Sequence, residues 1–305
     1  MSGARRRRAA GAALACLVGA ALCACRPPPH PPTPCSLRAP AAEDAATASE
    51  RIPAAVWLDL LVPDHRDVRD PLAALHTCTG APLRVDSSRH DAQVLPSGEP
   101  APVRIAAVDE ARALMWAPLR DYDDGDALGP IVLLRRHDPG DSAHLEILAI
   151  GALRAPRAAQ LRLEALADGG ELVVAEGARC EADVGEEARC VRELQLLPRS
   201  GERLVDAALR SGDVEGPARI AAALSVATPI PGGLRAATLE RSLRGDPEGV
   251  RIVEVLRVRR CVGAAGEGCD DVATIRRERP LRFDGERLLA PASLWTPEIV
   301  EGGLP

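Results

Sequence analysis

Two short-range pairs of cysteines put the tightest constraint on what this chain can fold into. Cys180 and Cys190 enclose nine residues, Cys261 and Cys269 enclose seven, and both intervals are rich in Gly, Ala and Glu. That spacing suits a loop joining two neighbouring strands, and a disulfide across it would clasp them by about 2 to 3 kcal/mol. Zinc is the rival explanation, but zinc ligands favour two to four intervening residues and no histidine lies near either pair. Each pair therefore reads as a local disulfide.

Around these pairs the chain is written with a period of two. Leu161 to Leu166 alternates, Asp168-Gly169-Gly170 turns, and Leu172-Val173-Val174 resumes. Ile131 to Leu134 and Leu145 to Ile150 flank the turn His137-Asp138-Pro139-Gly140-Asp141. Alternation broken by Gly, Pro and Asp is the signature of hairpins. One segment reads as a helix, Val108 to Leu119: Asp109 and Glu110 open it, Ala111, Leu114 and Met115 share a face, and Pro118 closes it. The expected fold is mainly β, with tandem antiparallel sheet modules, sandwich-like or barrel-like, and a short helix in the N-terminal part.

An internal repeat organises the second half. Gly125-Asp126 through Gly129-Pro130 recurs as Gly212-Asp213 through Gly216-Pro217, and Gly151-Ala152-Leu153-Arg154-Ala155 recurs as Gly232-Gly233-Leu234-Arg235-Ala236. The cysteine pairs follow, and Gly201-Glu202-Arg203-Leu204 answers Gly285-Glu286-Arg287-Leu288, so the offsets run 87, 81, 81, 79 and 84 in chain order. Several matches at nearly constant separation point to a duplicated unit. The boundaries are then 52–120 for an N-terminal mixed region, 121–207 and 208–295 for two β-modules, and 296–305 for a tail. Pro102-Val103-Arg104-Ile105 echoes Pro217-Ala218-Arg219-Ile220, which makes the region before residue 120 a candidate third copy. An immunoglobulin domain is not implied, because the paired cysteines are close in sequence with no tryptophan between them.

The first 25 residues carry a different message. Arg5 to Arg8 form a basic head, Ala9 to Ala24 a short apolar body, and Leu22-Cys23-Ala24-Cys25 precedes a proline run. Those are the marks of an export signal. The ending resembles the lipobox of bacterial lipoproteins, which implies that residues 1–24 are removed and that Cys25 is acylated as the first mature residue. Ala13-Leu14-Ala15-Cys16 is a second match with an apolar stretch of only seven residues. Cleavage after Ala24 without lipid, or an uncleaved anchor, are the alternatives; the seventeen residues Ala9 to Cys25 sit at the lower limit for a spanning helix. With Cys25 lipidated, six of nine cysteines remain to pair, and by elimination Cys35 joins Cys78. Residues 25–51 read as a Pro/Ala-rich tether, stiff over Arg26 to Pro34 and low in complexity from Ala41 to Glu50. Arg26 is not the aspartate that resembles an inner-membrane retention mark, which favours the outer membrane.

Composition narrows the partners. All 38 basic residues are arginine, and loss of residues 1–24 removes four arginines and no acids, moving the net charge from −6 to −10. A body this acidic is poorly suited to nucleic acid or anionic lipid. The five aromatics, Trp57, Trp116, Trp295, Tyr122 and Phe283, are too few to build stacking platforms while also filling a core.

Candidate chemistry is sparse. Asp121, Asp123, Asp124 and Asp126 could wrap calcium, but the EF-hand pattern fails because its first and third positions would be Arg120 and Tyr122. Asp86, Ser88 and His90 are the residue types of a serine hydrolase, crowded into one short run without a Gly-x-Ser-x-Gly elbow. Asp64-His65-Arg66-Asp67, His137-Asp138 and His76 read as turns, packing or caps. No phosphate loop, dinucleotide fingerprint or Cys-x-x-Cys is present, so no catalytic residue, cofactor or resident metal is expected. The leading expectation is a lipid-anchored envelope protein, non-catalytic, acting as an interaction or structural module toward an envelope protein or polymer. An envelope hydrolase and a calcium-stabilised binding module are the alternatives.

Overall fold

The computed structural model describes residues 36–62, 75–83, 102–137, 143–181, 189–262 and 267–301. The chain enters through β1 (Ser36–Arg38), α1 (Ala45–Glu50) and α2 (Ala54–Leu61). It then lays down β2 (Arg104–Ala107), β3 (Arg112–Trp116), β4 (Arg120–Asp121), β5 (Asp126–His137), β6 (His144–Pro156), β7 (Gln160–Ala165), β8 (Glu171–Glu181), β9 (Arg189–Ser200) and β10 (Arg203–Leu204). The sheet order is β2-β3-β5-β6-β10-β9-β8-β7, with β1 added beside β6 and β4 beside β5. Because β7 returns against β2 and β3, the sheet curls into a nearly closed barrel.

Alternation decides what fills and what coats this barrel. Leu114 and Trp116 of β3, Ile131 and Leu133 of β5, Leu153 of β6, and Val173 of β8 meet in one interior cluster. Their neighbours Ala113, Met115, Val132, Leu134 and Ile147 face outward and are covered by α1 and α2 through Ala48, Trp57 and Leu61. Both faces of β3 and β5 are thus apolar. Each fully buried Leu or Ile is worth about 1.5 to 3 kcal/mol, so the helices on the outside are part of the core energetics.

Two expectations about the N-terminal part are corrected here. Val108 to Leu119 is not a helix: it contributes the β2–β3 turn and β3, with Asp109 Oδ1 accepting from the backbone N–H of Ala111 (3.0 Å) and Arg112 (2.8 Å). Burial of β3 on both faces fills Ala113 to Trp116 with apolar residues and erases the period of two, leaving spacings that imitate a helix. Residues 36–51 are not tether either. Ser36–Arg38 pairs with β6, and the alanines of α1 are small enough to lie flat on the barrel wall, with Ala45 and Ala48 fully buried. Asp44 caps α1 by accepting from Thr47 N–H at 2.7 Å, and Trp57 Nε1 donates to Ser49 O, locking the two helices together.

Beyond β10 come β11 (Ala208–Ser211), β12 (Val214–Pro217), β13 (Arg219–Ala221), β14 (Ala223–Ile230), β15 (Gly233–Arg244), β16 (Arg251–Val262), β17 (Glu267–Pro280), β18 (Arg282–Phe283), β19 (Arg287–Ala290) and α3 (Pro297–Val300). Strand β13 joins the barrel sheet through β9, and the rest form two four-stranded sheets, β12-β11-β19-β18 and β14-β15-β16-β17. Leu172, Val174, Leu194 and Leu196 on the outside of β8 and β9 pack on Ile220, Ile252, Leu281 and Leu288, welding the barrel to the second half. The meander β14–β17 buries Leu239, Leu256 and Val258 beneath Leu294 and Ile299.

The expected hairpins β5–β6 and β7–β8 form, the latter turning at Gly169 with φ 80°. At the repeated motifs, Gly125 and Gly212 both turn a short strand into its partner with positive φ, as Gly285 does, and Gly201 turns the long β9 into the short β10. Gly151 and Gly232 differ: the first lies inside β6 against Leu204, the second turns β14 into β15. Among the described residues no helix is long and apolar enough to cross a membrane.

Candidate functional site

The Cys261–Cys269 pair ends up where its spacing puts it. Cys261 and Cys269 are register partners near the end of the β16–β17 hairpin and are disulfide-bonded, with Cα atoms 4.0 Å apart. Cys180 and Cys190 oppose each other at the matching place in β8–β9, and Cys190 and Cys78 are both oxidised. Cys25 and Cys35 lie outside the described residues, as do Asp86, Ser88, His90 and the Asp64 to Asp67 run. His76 makes an isolated bridge to Pro82, and His137 sits 2.6 Å from Glu146 with its ring stacked on His144 at 4.9 Å.

The acidic run at 121–126 becomes half of an arginine network. A turn closed by Gly125 (Gly125 N to Tyr122 O, 3.1 Å) aims Asp121 at Arg157 and brings Asp124 and Asp126 onto the one guanidinium of Arg154. Asp121 pairs with Arg157; Asp124 accepts from Arg154 at 2.7 Å; Asp126, fully buried at its side chain, accepts from Arg154 and Arg219 at 3.2 Å each. Arg154 also stacks on Tyr122 at 3.8 Å, and Arg219 and Arg179 reach Glu193. These groups fill the gap between β6 and β9 around a space of about 10 Å³, the size of one water. Carboxylates committed to guanidinium forks do not form a cation cradle, so calcium chelation by this run finds no geometric support. Asp123 has interactions of its own.

A second buried charge cluster braces the far end of the chain. Glu254 of β16 has no exposed surface. Its Oε1 accepts from Arg241 Nε (2.9 Å), Arg279 (2.8 Å) and Ser293 Oγ (2.6 Å), and its Oε2 from Leu294 N–H (2.8 Å). Burial alone would raise its pKa; the Ser293 and Leu294 hydrogen bonds and the two arginines overcome that and hold the carboxyl below its usual value. Arg279, in turn, donates to Ser211 Oγ and Pro291 O, both at 2.7 Å. The cluster thereby fixes the turn after β11 against the segment following β19.

Those two segments form walls of an open cleft of about 540 Å³, lined by Arg210, Gly212, Pro280, Arg282, Leu289, Ala290 and Pro291. Arg210 of β11 is in register with Leu289 of β19, and Leu289 with Arg282 of β18. Paired residues point to the same side of a sheet, so the three form one row on the exposed face, while Leu209, Leu288 and Phe283 on the reverse enter the core. Two interstrand spacings separate the arginines, about 10 Å between Cα atoms. Both side chains are exposed. Arg210 donates through Nε to Gly212 O at 3.2 Å, which orients its fork. Glu215, its other register partner, is instead 3.4 Å from Arg287. Arg282 makes no side-chain hydrogen bond or ion pair among the described residues.

Sequence reasoning singled out neither arginine. The alternation in Ala208-Leu209-Arg210-Ser211 marks a strand, but the parallel pairing that sets Arg210 beside a residue 79 positions later has no local signal. No protein-family model, curated protein or solved structure matches the chain.

Proposed function

We propose that this chain is a lipid-anchored protein of the bacterial cell envelope whose β-rich body binds a partner and does not transform one. The observation that carries the binding half is the 540 Å³ cleft, whose lining, among the described residues, offers guanidinium groups, proline rings and a leucine but no nucleophile or proton acceptor side chain. A site of that volume with few polar anchors is of ordinary ligand-binding size. The envelope half draws on the Leu22-Cys23-Ala24-Cys25 ending and on the Cys261–Cys269 disulfide, which suits an oxidising compartment.

Cells expressing the full chain and fed labelled palmitate test the anchor: label on the wild type and none on Cys25→Ser is the expected outcome, and label persisting on Cys25→Ser sinks it. Cross-linking in intact cells, followed by capture of the full chain, tests the binding role. A partner whose yield falls when the cleft is altered supports the reading, whereas turnover of a substrate by the purified protein would overturn it.

A further inference from the structure

We infer that the cleft over β11, β19 and β18 is a site for a small organic anion, an oxyanion head group carried on an apolar body. The inference rests on the reading of this body as a binding module and specifies its ligand. The row Arg210, Leu289, Arg282 presents two cations on either side of an apolar floor. Arginine side chains are long enough to lean inward from Cα atoms about 10 Å apart and grip one group above Leu289. A guanidinium fork matches phosphate or carboxylate oxygens two at a time, which a point charge cannot do.

The environment argues the same way. Several arginines elsewhere sit on carboxylates: Arg154 on Asp124, Arg219 on Asp126, Arg279 on Glu254. In this cleft the nearest acid in the row, Glu215, is drawn to Arg287, and among the described residues no carboxylate lines the walls. Pro280 and Pro291 add rigid apolar walls, and Pro291 is held by the Arg279 bond, so the walls are set before a ligand arrives. A bare ion would leave these surfaces wet. A head group with an apolar body covers them.

The test titrates the full-length protein in neutral detergent with phenyl phosphate, benzoate and inorganic phosphate by calorimetry. Phenyl phosphate or benzoate should bind, with inorganic phosphate weaker than phenyl phosphate by about tenfold, the worth of roughly 1.4 kcal/mol of buried apolar surface. Arg282→Gln should weaken binding by about tenfold without moving the melting temperature, since that side chain makes no hydrogen bond or ion pair among the described residues. Arg282→Lys should recover only part, and Arg210→Gln with Arg282→Gln should abolish binding. The inference is overturned if neither organic anion binds, if the double variant binds as wild type does, or if inorganic phosphate binds as tightly as phenyl phosphate. Palmitate labelling at Cys25 is unaffected by these outcomes, so failure of the ligand and failure of the anchor are read separately.

Discussion

Glu254 shows how single residues hold this protein together. It is a carboxylate without solvent, tolerable because four donors surround it. Removing it strands Arg279, itself only 2% exposed, as an uncompensated buried charge. Glu254→Ala should therefore lower unfolding stability by about 3 to 5 kcal/mol in urea titrations. The pH dependence follows from the depressed pKa. A carboxyl that ionises more readily folded than unfolded contributes stability that is complete above its unfolded value, near 4.5, and is lost as pH falls through the lower folded value. The advantage of wild type over Glu254→Gln should thus be largest at neutral pH and shrink below about pH 4.5. Gly129 is a second residue with no slack: an added Cβ would lie 1.8 Å from Ala117 O. Gly129→Ala should lower stability by about 1 to 3 kcal/mol, because the clash is with backbone and the strand must move.

At the scale of elements, the β16–β17 hairpin is a long arm whose end depends on its clasp. Near that end Val262 and Val272 are 68% and 52% exposed, and a bulge at Val272 interrupts the ladder. This end is held by the ladder to β15, where Gly233 and Leu234 face Val262 and Cys261, and by the disulfide that ties β17 to it, so replacing Cys261 and Cys269 by serine together should cost about 2 to 3 kcal/mol. Hydrogen exchange should locate the loss: amides near Val258 to Cys261 and Asp270 to Thr274 should speed up while β5 and β6 stay protected. Uniform acceleration across the barrel would refute a local role. Element type was legible where turn residues bound the apolar runs, as in β5–β6 and β7–β8, and illegible in β3, where a both-faces-buried strand is short and lacks such a turn on its far side. Leu114-Met115-Trp116 is buried throughout, so no polar position records which way each side chain points.

For the whole molecule, the consequential difference from the sequence reading is that residues 36–51 belong to the barrel's coat. Deleting 36–51 from the full chain should expose Met115, Val132 and Leu134, produce binding of an apolar dye and reduce the cooperativity of unfolding. A tether would predict no change in either readout. Junction residues such as Ile252 and Leu281, packed on Val174 and Leu196, likewise make the barrel and the later sheets depend on one another.

By itself the sequence determined the local matters: the β character, the β5–β6 and β7–β8 hairpins, and the Cys261–Cys269 bond. Alternation, turn residues and short cysteine spacing act over a few residues and leave their record there. The tertiary structure alone decided the matters of partnership. It gave Asp121, Asp124 and Asp126 to Arg154, Arg157 and Arg219, nearly closed the barrel by bringing β7 to β2, and set Arg210 and Arg282 on either side of Leu289. The physical reason is that a charge or a strand edge carries no mark of its distant mate. Which partner it meets is settled only when the apolar faces have packed and left each polar group one place to go.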